Sequence, residues 1–399
     1  MDCKHAFIAF LLVAAMLFSG CVAQGQANKT GTSKISCSMD PATGKQANCT
    51  CIVNPDKDRL AIIMKKGGAL DSDQIRQRIS LFLGSVEKDV GIKSIGISYF
   101  EGSSIPELDS FIEGLYYEND VGYVIFVGDE VDLLKRERSP LEALDTDLAL
   151  VGKEWSLPKD EKGISGINPD AYCREVAVSW ILPPFSYSNE EKVAFISRLL
   201  DRYTGYHNNE NNILGQYSDD YLHVQWENNH TNLGMDLSMS KIGYDKSKVL
   251  VWNHDYARIM DEMKKKHYLL YYNVHGSPEL IGLGLNGSDS NSEFSAVYTN
   301  FDEFSGFAKE YGTPSLLVQP ASCGSMVSQL VNDGKKRYCC WPQLMLDSGV
   351  WAYYSIGSGQ NSAYDLERKF SEGPFLGYAL RNNPVDQYIF FGDITAHFR

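Results

Sequence analysis

From Asp58 onward, short apolar runs alternate with longer stretches in which apolar residues recur at helical spacing. Leu60–Met64 is wholly apolar and reads as a strand, whereas Ser72–Lys88 sets Ile75, Ile79, Phe82, Leu83 and Val86 on one face and predicts a helix. Ile92–Ile97 is strand-like, Pro106–Tyr117 helical, and Gly122–Val127 an apolar strand running into Gly128-Asp129. A strand at Glu175–Ile181 then precedes a long helix at Asn189–Tyr206. The second half continues in the same style, with strands at Tyr221–Trp226, His267–Val274, Ser315–Pro320, Val350–Ile356 and Gln387–Phe391. Helices are predicted between them at Asp255–Lys266, Asn300–Tyr311 and Tyr338–Leu346. This alternation predicts an α/β fold of mostly parallel sheets with helices on both faces. It divides into two adjacent subdomains, 58–207 and 208–399. Long polar connections at 129–172, 228–248 and 283–299 have the length of functional or mobile loops.

The start of the chain has a different pattern. Lys4 and His5 precede the apolar run Ala6–Phe18, which falls short of the about 20 residues a membrane-spanning helix needs. It has the length of a signal-peptide core, and the Leu17-Phe18-Ser19-Gly20-Cys21 that closes it resembles a lipobox. Residues 1–20 are therefore expected to leave as a signal, and Cys21 to carry lipid that holds the protein at an extracytoplasmic membrane surface. Phe18 stands where a small aliphatic residue is usual, so ordinary cleavage nearby and release remain open. Residues 21–57 read as a tether, polar and unpatterned to residue 36 and then rich in cysteine.

Composition narrows the partners. The chain of 399 residues is 43% hydrophobic, ample for a large core, and its formal charge of −14 excludes nucleic acid as a partner. Of nine cysteines, Cys3 lies in the signal and Cys21 at the lipid site, leaving an odd seven. In an oxidising compartment at least one of these stays unpaired. Cys37, Cys49 and Cys51 crowd a short stretch that reads as a local disulfide knot, because no second paired-ligand element accompanies it to make a zinc site.

Three predicted strands end on reactive side chains: Glu227 follows Tyr221–Trp226, His275-Gly276 follows or closes His267–Val274, and Cys323-Gly324 follows Ser315–Pro320. Ligands of parallel α/β sheets bind beyond the carboxyl ends of the strands. A carboxylate, an imidazole and a thiol would meet there if these strands are parallel neighbours. That set suits nucleophilic thiol chemistry: histidine keeps the thiol ionised and protonates a leaving amine, and an acid fixes the imidazole tautomer. The histidine lies about 50 residues before the cysteine, as in caspase-type enzymes. Cys339-Cys340 is a rival nucleophile, although Pro342 follows closely and no histidine motif pairs with it.

Four downstream segments strengthen this reading: LLYYNVHGSPELIG (269–282), PSLLVQPASCGSM (314–326), CCWPQLMLDSGVWAYYSIGSGQNS (339–362) and DQYIFFGDITAHF (386–398). With YVIFVGDEVDLL (123–134) and the junction segment 174–206 upstream, they resemble in order the motifs of gingipain-like cysteine peptidases, relatives of caspases and legumains. The resemblance implies a caspase/gingipain-like α/β sandwich whose second subdomain is catalytic. It implies Cys323 as nucleophile, His275 as general acid–base, backbone N–H groups of Gly276 and Cys323 as oxyanion donors, and Glu227 as the group orienting His275. Asp219, Asp220 and Asp255 compete for the orienting role, and Asp236 lies roughly where the Arg- and Lys-specific members carry an acidic substrate-binding residue. The implied activity is endopeptidase cleavage of proteins or peptides through an acyl-thioester, with no cofactor required. Some members bind calcium, but no loop of EF-hand spacing assigns such a site here. The chain departs from the pattern at Val274, at Gly324-Ser325-Met326, at Ile394 and at Ser179-Trp180. A non-catalytic binding protein on the same scaffold and a transpeptidase are the alternatives.

Overall fold

The structure is a computed structural model that describes residues 34–39, 46–128, 174–184, 187–225, 248–252, 255–274, 280–283, 299–320, 341–356, 373–382 and 388–397. Among these, an antiparallel hairpin comes first, β1 (Lys34–Met39) with β2 (Gln46–Ile52). The cysteine-rich segment of the expected tether thus has regular structure. Cys51 is buried and disulfide-bonded, and its amide donates to the carbonyl of Asn382 at 3.0 Å.

The first half of the main sheet contains β3 (Arg59–Lys65), β4 (Ser94–Phe100), β5 (Val121–Val127) and β6 (Ala177–Ile181). Its helices are α1 (Asp73–Val90), α2 (Ile105–Asn119) and α3 (Asn189–His207). Each begins where a hydroxyl can satisfy the free N–H groups of a first turn. Ser72 caps α1, and Ser104 with Glu107 and Ser188 with Glu191 form reciprocal capping boxes on α2 and α3. Ile75, Ile79, Phe82, Leu83 and Val86 are buried as their spacing predicts, and α1 packs against α3.

In the second half, a 3-10 turn (Glu210–Gln216) leads into β7 (Ser218–Gln225), followed by β8 (Lys248–Trp252), α4 (Tyr256–Met263) and β9 (His267–Asn273). The short pair β10 (Leu280–Ile281) and β11 (Thr299–Asn300) precedes α5 (Phe301–Tyr311) and β12 (Ser315–Pro320). α6 (Trp341–Asp347), β13 (Ala352–Ile356), α7 (Leu376–Arg381) and β14 (Tyr388–Gly392) complete the described elements. Residues 338–340 of the predicted helix lie outside the described ones. Besides the β1–β2 hairpin and the β10–β11 pair, two elements depart from expectation. β8 lies where a polar connection was read to end, and α7, at six residues, is too short to show a helical period.

Ten described strands form one sheet in the order β4-β3-β5-β6-β14-β13-β12-β9-β7-β8. Pairing is parallel from β4 to β6 and from β13 to β8, and β14 runs antiparallel to β13. Helices cover the sheet, so β5 and β6 are buried along their whole length. α3 returns the chain from the carboxyl end of β6 to the amino end of β13. There the Tyr203 hydroxyl donates to the Trp351 carbonyl at 3.2 Å, and Arg202 donates to the Val350 carbonyl at 3.0 Å.

The junction around β14 is closely fitted. Trp180 on β6 is fully buried and stacks on Phe126 of β5, with ring centroids 4.3 Å apart and planes inclined by 13°. Beside it, the Ser179 hydroxyl donates to the carbonyl of Gly392. The Ser179-Trp180 departure therefore has a structural role: one residue fills the core and the other ties β6 to β14. Gly392 has φ of 105°, and a Cβ there would come within 2.3 Å of the Trp351 carbonyl oxygen. Gly392→Ala is expected to cost about 2 kcal/mol or more through strain and backbone overlap, measured as a lower midpoint in urea unfolding.

Candidate active site

The three strands that lead to the candidate residues are consecutive neighbours in the sheet, in the order β12-β9-β7. All run parallel, and their carboxyl ends are level: Pro320 pairs with Tyr272, Val224 pairs with Tyr272, and Gln225 pairs with Asn273. Adjacent strands lie about 4.8 Å apart, so chain leaving these three ends starts within about 10 Å across one edge. Leu269, Leu270 and Tyr272 of β9 are buried, as are Leu317 and Val318 of β12 and Leu222 and Val224 of β7. Consecutive buried residues put apolar side chains on both faces of β9 and β12, as in a sheet covered on both sides.

His275, Gly276, Cys323, Glu227 and Asp236 lie outside the described residues, as do Cys21 and the rival pair Cys339-Cys340. Their approaches are described. Val274, immediately before His275, is buried at the end of β9. On the far side of that segment, β10 pairs antiparallel with β11, Leu280 opposite Asn300 and Ile281 opposite Thr299. The buried Thr299 hydroxyl donates to the Leu283 carbonyl at 2.7 Å, and Asn300 caps α5. The described chain is thus held on either side of residues 275–279, by β9 before them and by the β10–β11 pair after them. Two-residue strands carry no periodicity, so sequence patterning misses this anchor.

The geometry separates the competitors of Glu227. Asp219 and Asp220 belong to the first turns of the β7 ladder, five or six residues before Gln225. At about 3.3 Å per residue they sit about 16–20 Å from the carboxyl edge, too far to orient a group there. Asp255 is different. It follows β8, whose Trp252 is level with Gln225, and its carboxylate caps α4 by accepting from the Arg258 amide at 3.2 Å. Asp255 therefore shares the edge with the end of β7, while its carboxylate already has a helix-capping task.

Two other imidazoles lie on these strands: His223 of β7 is buried against Tyr271, with ring centroids 4.7 Å apart, and His267 of β9 is no substitute base. His267 opens β9 at the opposite edge, pairs in register with Ser315 and Ser218, and is buried. Its Nε2 lies 3.1 Å from Glu262 Oε2. Burial lowers its proton affinity more than Glu262 raises it, so it is neutral over a wider range than an exposed histidine. Among the described residues no group of three or more His, Cys, Asp or Glu side chains could hold a metal ion, and no helix is long and apolar enough to cross a membrane.

The described strand order, with helices on both faces, forms a mostly parallel α/β sandwich of the caspase/gingipain-like kind. Among solved structures, the chain is similar to the Arg-specific cysteine proteinase gingipain R. The match has a TM-score of 0.54 and 15% identity, over 85% of this chain and 78% of that one. The complex of the pro- and mature domains of RgpB from Porphyromonas gingivalis matches at 0.52 with 14% identity, over 84% and 79%. A further structure, described only as a protease, matches at 0.50 with 12% identity, over 86% and 79%. No protein-family model and no curated protein matches the sequence. The similarity is thus one of fold.

Proposed function

We propose that this chain is a cysteine endopeptidase, exported and tethered at the cell surface through lipid on Cys21. The observation that carries the reading is the level, parallel arrangement of β12, β9 and β7, from whose carboxyl ends the chain proceeds to Cys323, His275 and Glu227. In the proposed cycle the Cys323 thiolate attacks the carbonyl carbon of a peptide bond, while N–H groups of Gly276 and Cys323 receive the developing oxyanion. The His275 imidazolium gives its proton to the departing amine, and the C–N bond breaks to leave an acyl-thioester. His275, now neutral, takes a proton from water as its oxygen attacks the thioester carbonyl. Collapse of the resulting intermediate breaks the C–S bond, releasing the carboxylic acid and leaving the Cys323 thiolate beside the His275 imidazolium, the pair that began the cycle. Glu227 holds the imidazole tautomer throughout.

The test is covalent labelling. A thiol-directed peptidyl probe is expected to modify Cys323 in the wild type and nothing in Cys323→Ala. Labelling confined to Cys339 or Cys340, or none after activating proteolysis, contradicts the proposal. Val274 and Gly324-Ser325-Met326 depart from the gingipain pattern next to the reacting residues and favour, as second reading, a binding protein that has lost turnover. That protein would bind peptides without product formation. Transfer of the acyl group to an added amine in preference to water would instead mark a transpeptidase.

Asp236 and the Arg specificity of gingipain R point to a basic residue before the cleaved bond. A mixed peptide library is expected to show cleavage after Arg or Lys. Asp236→Asn should raise KM for such peptides at least about tenfold, since truncating a charge-assisted contact costs about 1.5–3 kcal/mol. Cleavage after Asp, Asn or apolar residues would refute this specificity while leaving the thiol mechanism untouched.

A further inference from the structure

A second cluster of titratable groups lies at the other edge of the sheet, where α3 meets the amino end of β13. His207 closes α3 with its side chain fully enclosed. Its Nδ1 is 2.7 Å from Asp89 Oδ2 at the end of α1, and its Nε2 is 2.9 Å from Asp393 Oδ2, just after β14. Thr395 Oγ1 is also near, 3.1 Å from Nε2. That hydroxyl lies 2.5 Å from Asp393 Oδ1, to which it donates, so towards His207 its oxygen only accepts. Every polar neighbour of both ring nitrogens is thus an acceptor. A neutral imidazole has a single N–H and would set one lone pair against a carboxylate. With both carboxyl groups ionised, the arrangement requires N–H on both nitrogens.

We propose that His207 is a fixed imidazolium that clasps the segment Asp393–His397 onto the ends of α1 and α3, and that alkaline pH opens the clasp. The segment is also held by the Gly377 amide, which donates to the Ile394 carbonyl at 2.6 Å, and by the fully buried side chains of Ile394 and Ala396. Its Thr395 amide donates to Asp393 Oδ1 at 2.8 Å, the Ala396 carbonyl accepts from Leu376 at 2.9 Å, and the Tyr206 hydroxyl donates to the His397 carbonyl. The titratable groups around His207 are Asp89 on α1, Asp393 and His397 on the segment, and Tyr203 and Tyr206 on its own helix. His397 Nε2 also reaches Asp89 Oδ2, at 2.9 Å, so one carboxylate holds two imidazoles. The end of α3 adds the negative pole of a helix. Burial opposes a charge on His207, and the carboxylates of Asp393 and Asp89 outweigh it, holding its proton affinity above the ordinary value. The sign follows: the clasp contributes fully below the unfolded histidine pKa, about 6.5, and is lost as pH rises through the higher folded value.

The experiment uses the Cys323→Ala chain, so that no peptidase activity enters the readout. Histidine ring nitrogens are followed by 15N NMR from pH 6 upward, alongside amide exchange of Thr395 and Ala396 corrected for intrinsic rates. Both His207 nitrogens are expected to be protonated at neutral pH, with a midpoint above that of a histidine peptide in the same buffer. Exchange of the two amides should rise at least tenfold through that midpoint. Asp89→Asn should lower the midpoint. In His207→Gln, if it folds, exchange should be fast at every pH with no step. A single neutral tautomer at neutral pH would overturn the proposal, because the proton would then sit on a carboxyl group. Unchanged exchange through the His207 titration would overturn it equally.

Discussion

Cys323→Ala is expected to lower kcat/KM on a cleavable peptide by at least about 10⁴-fold, leaving the folded state intact. The magnitude follows from the mechanism. Without the thiolate no acyl intermediate forms, and only positioning and oxyanion stabilisation remain to accelerate attack by water. His275→Ala should cost a comparable factor, and the double variant little more than either single one, since two residues acting as a unit are not additive. Cys339→Ala and Cys340→Ala should retain turnover. Steady-state kinetics on the five variants, with circular dichroism to verify folding, decides the matter. Full activity in Cys323→Ala would remove the proposed function. Loss of activity in Cys339→Ala or Cys340→Ala, with Cys323→Ala active, would move the nucleophile to the rival pair.

The largest stability effect is expected at Trp180. Its ring is fully buried on β6, stacked on Phe126 of β5, with β14 on the other side. Trp180→Ala removes that apolar area and leaves a cavity that the sheet is too constrained to close, a change that costs about 3–5 kcal/mol. Urea unfolding should show a midpoint displaced by that amount with the slope little changed. Trp180→Phe should recover much of the loss by restoring a ring against Phe126. A shift below about 1 kcal/mol for Trp180→Ala would mean that the stack does not anchor the centre of the sheet.

The elements legible in the sequence are those with strong local signals. Leu60–Met64 and Gly122–Val127 read as strands because both of their faces are covered, leaving runs without polar residues. α1 and α3 read as helices because an apolar face repeats over about five turns behind a serine cap. Lys248–Trp252 was hidden by its length, five residues against a long polar connection, and gains its place only by pairing with β7. The same limit applies to the candidate site. Which residues follow which strand is a local property, but that β12, β9 and β7 are neighbours depends on the whole sheet. Position along β7 sets Asp219 and Asp220 at its amino end, away from the carboxyl edge, although they are near Glu227 in sequence. The His207 cluster is less legible still. Its partners Asp89 and Asp393 lie 118 and 186 residues away, and an isolated histidine at a helix end gives no sign of them.

β14 is the most C-terminal of the described strands and yet stands between β6 and β13. Synthesis therefore delivers this central strand after all the other described strands. A nascent chain that has reached β13 can hold two partial sheets, each with an unpaired edge available to other polypeptides. Inserting residues 388–392 removes both edges in one step and joins long-range partners, the kind of pairing that folds slowly. A truncation before Tyr388 should accordingly lead to association rather than to a smaller stable protein. The strands leading to the candidate chemistry would then gain their final support only after β14 has been made, so maturation of the site waits on that one strand.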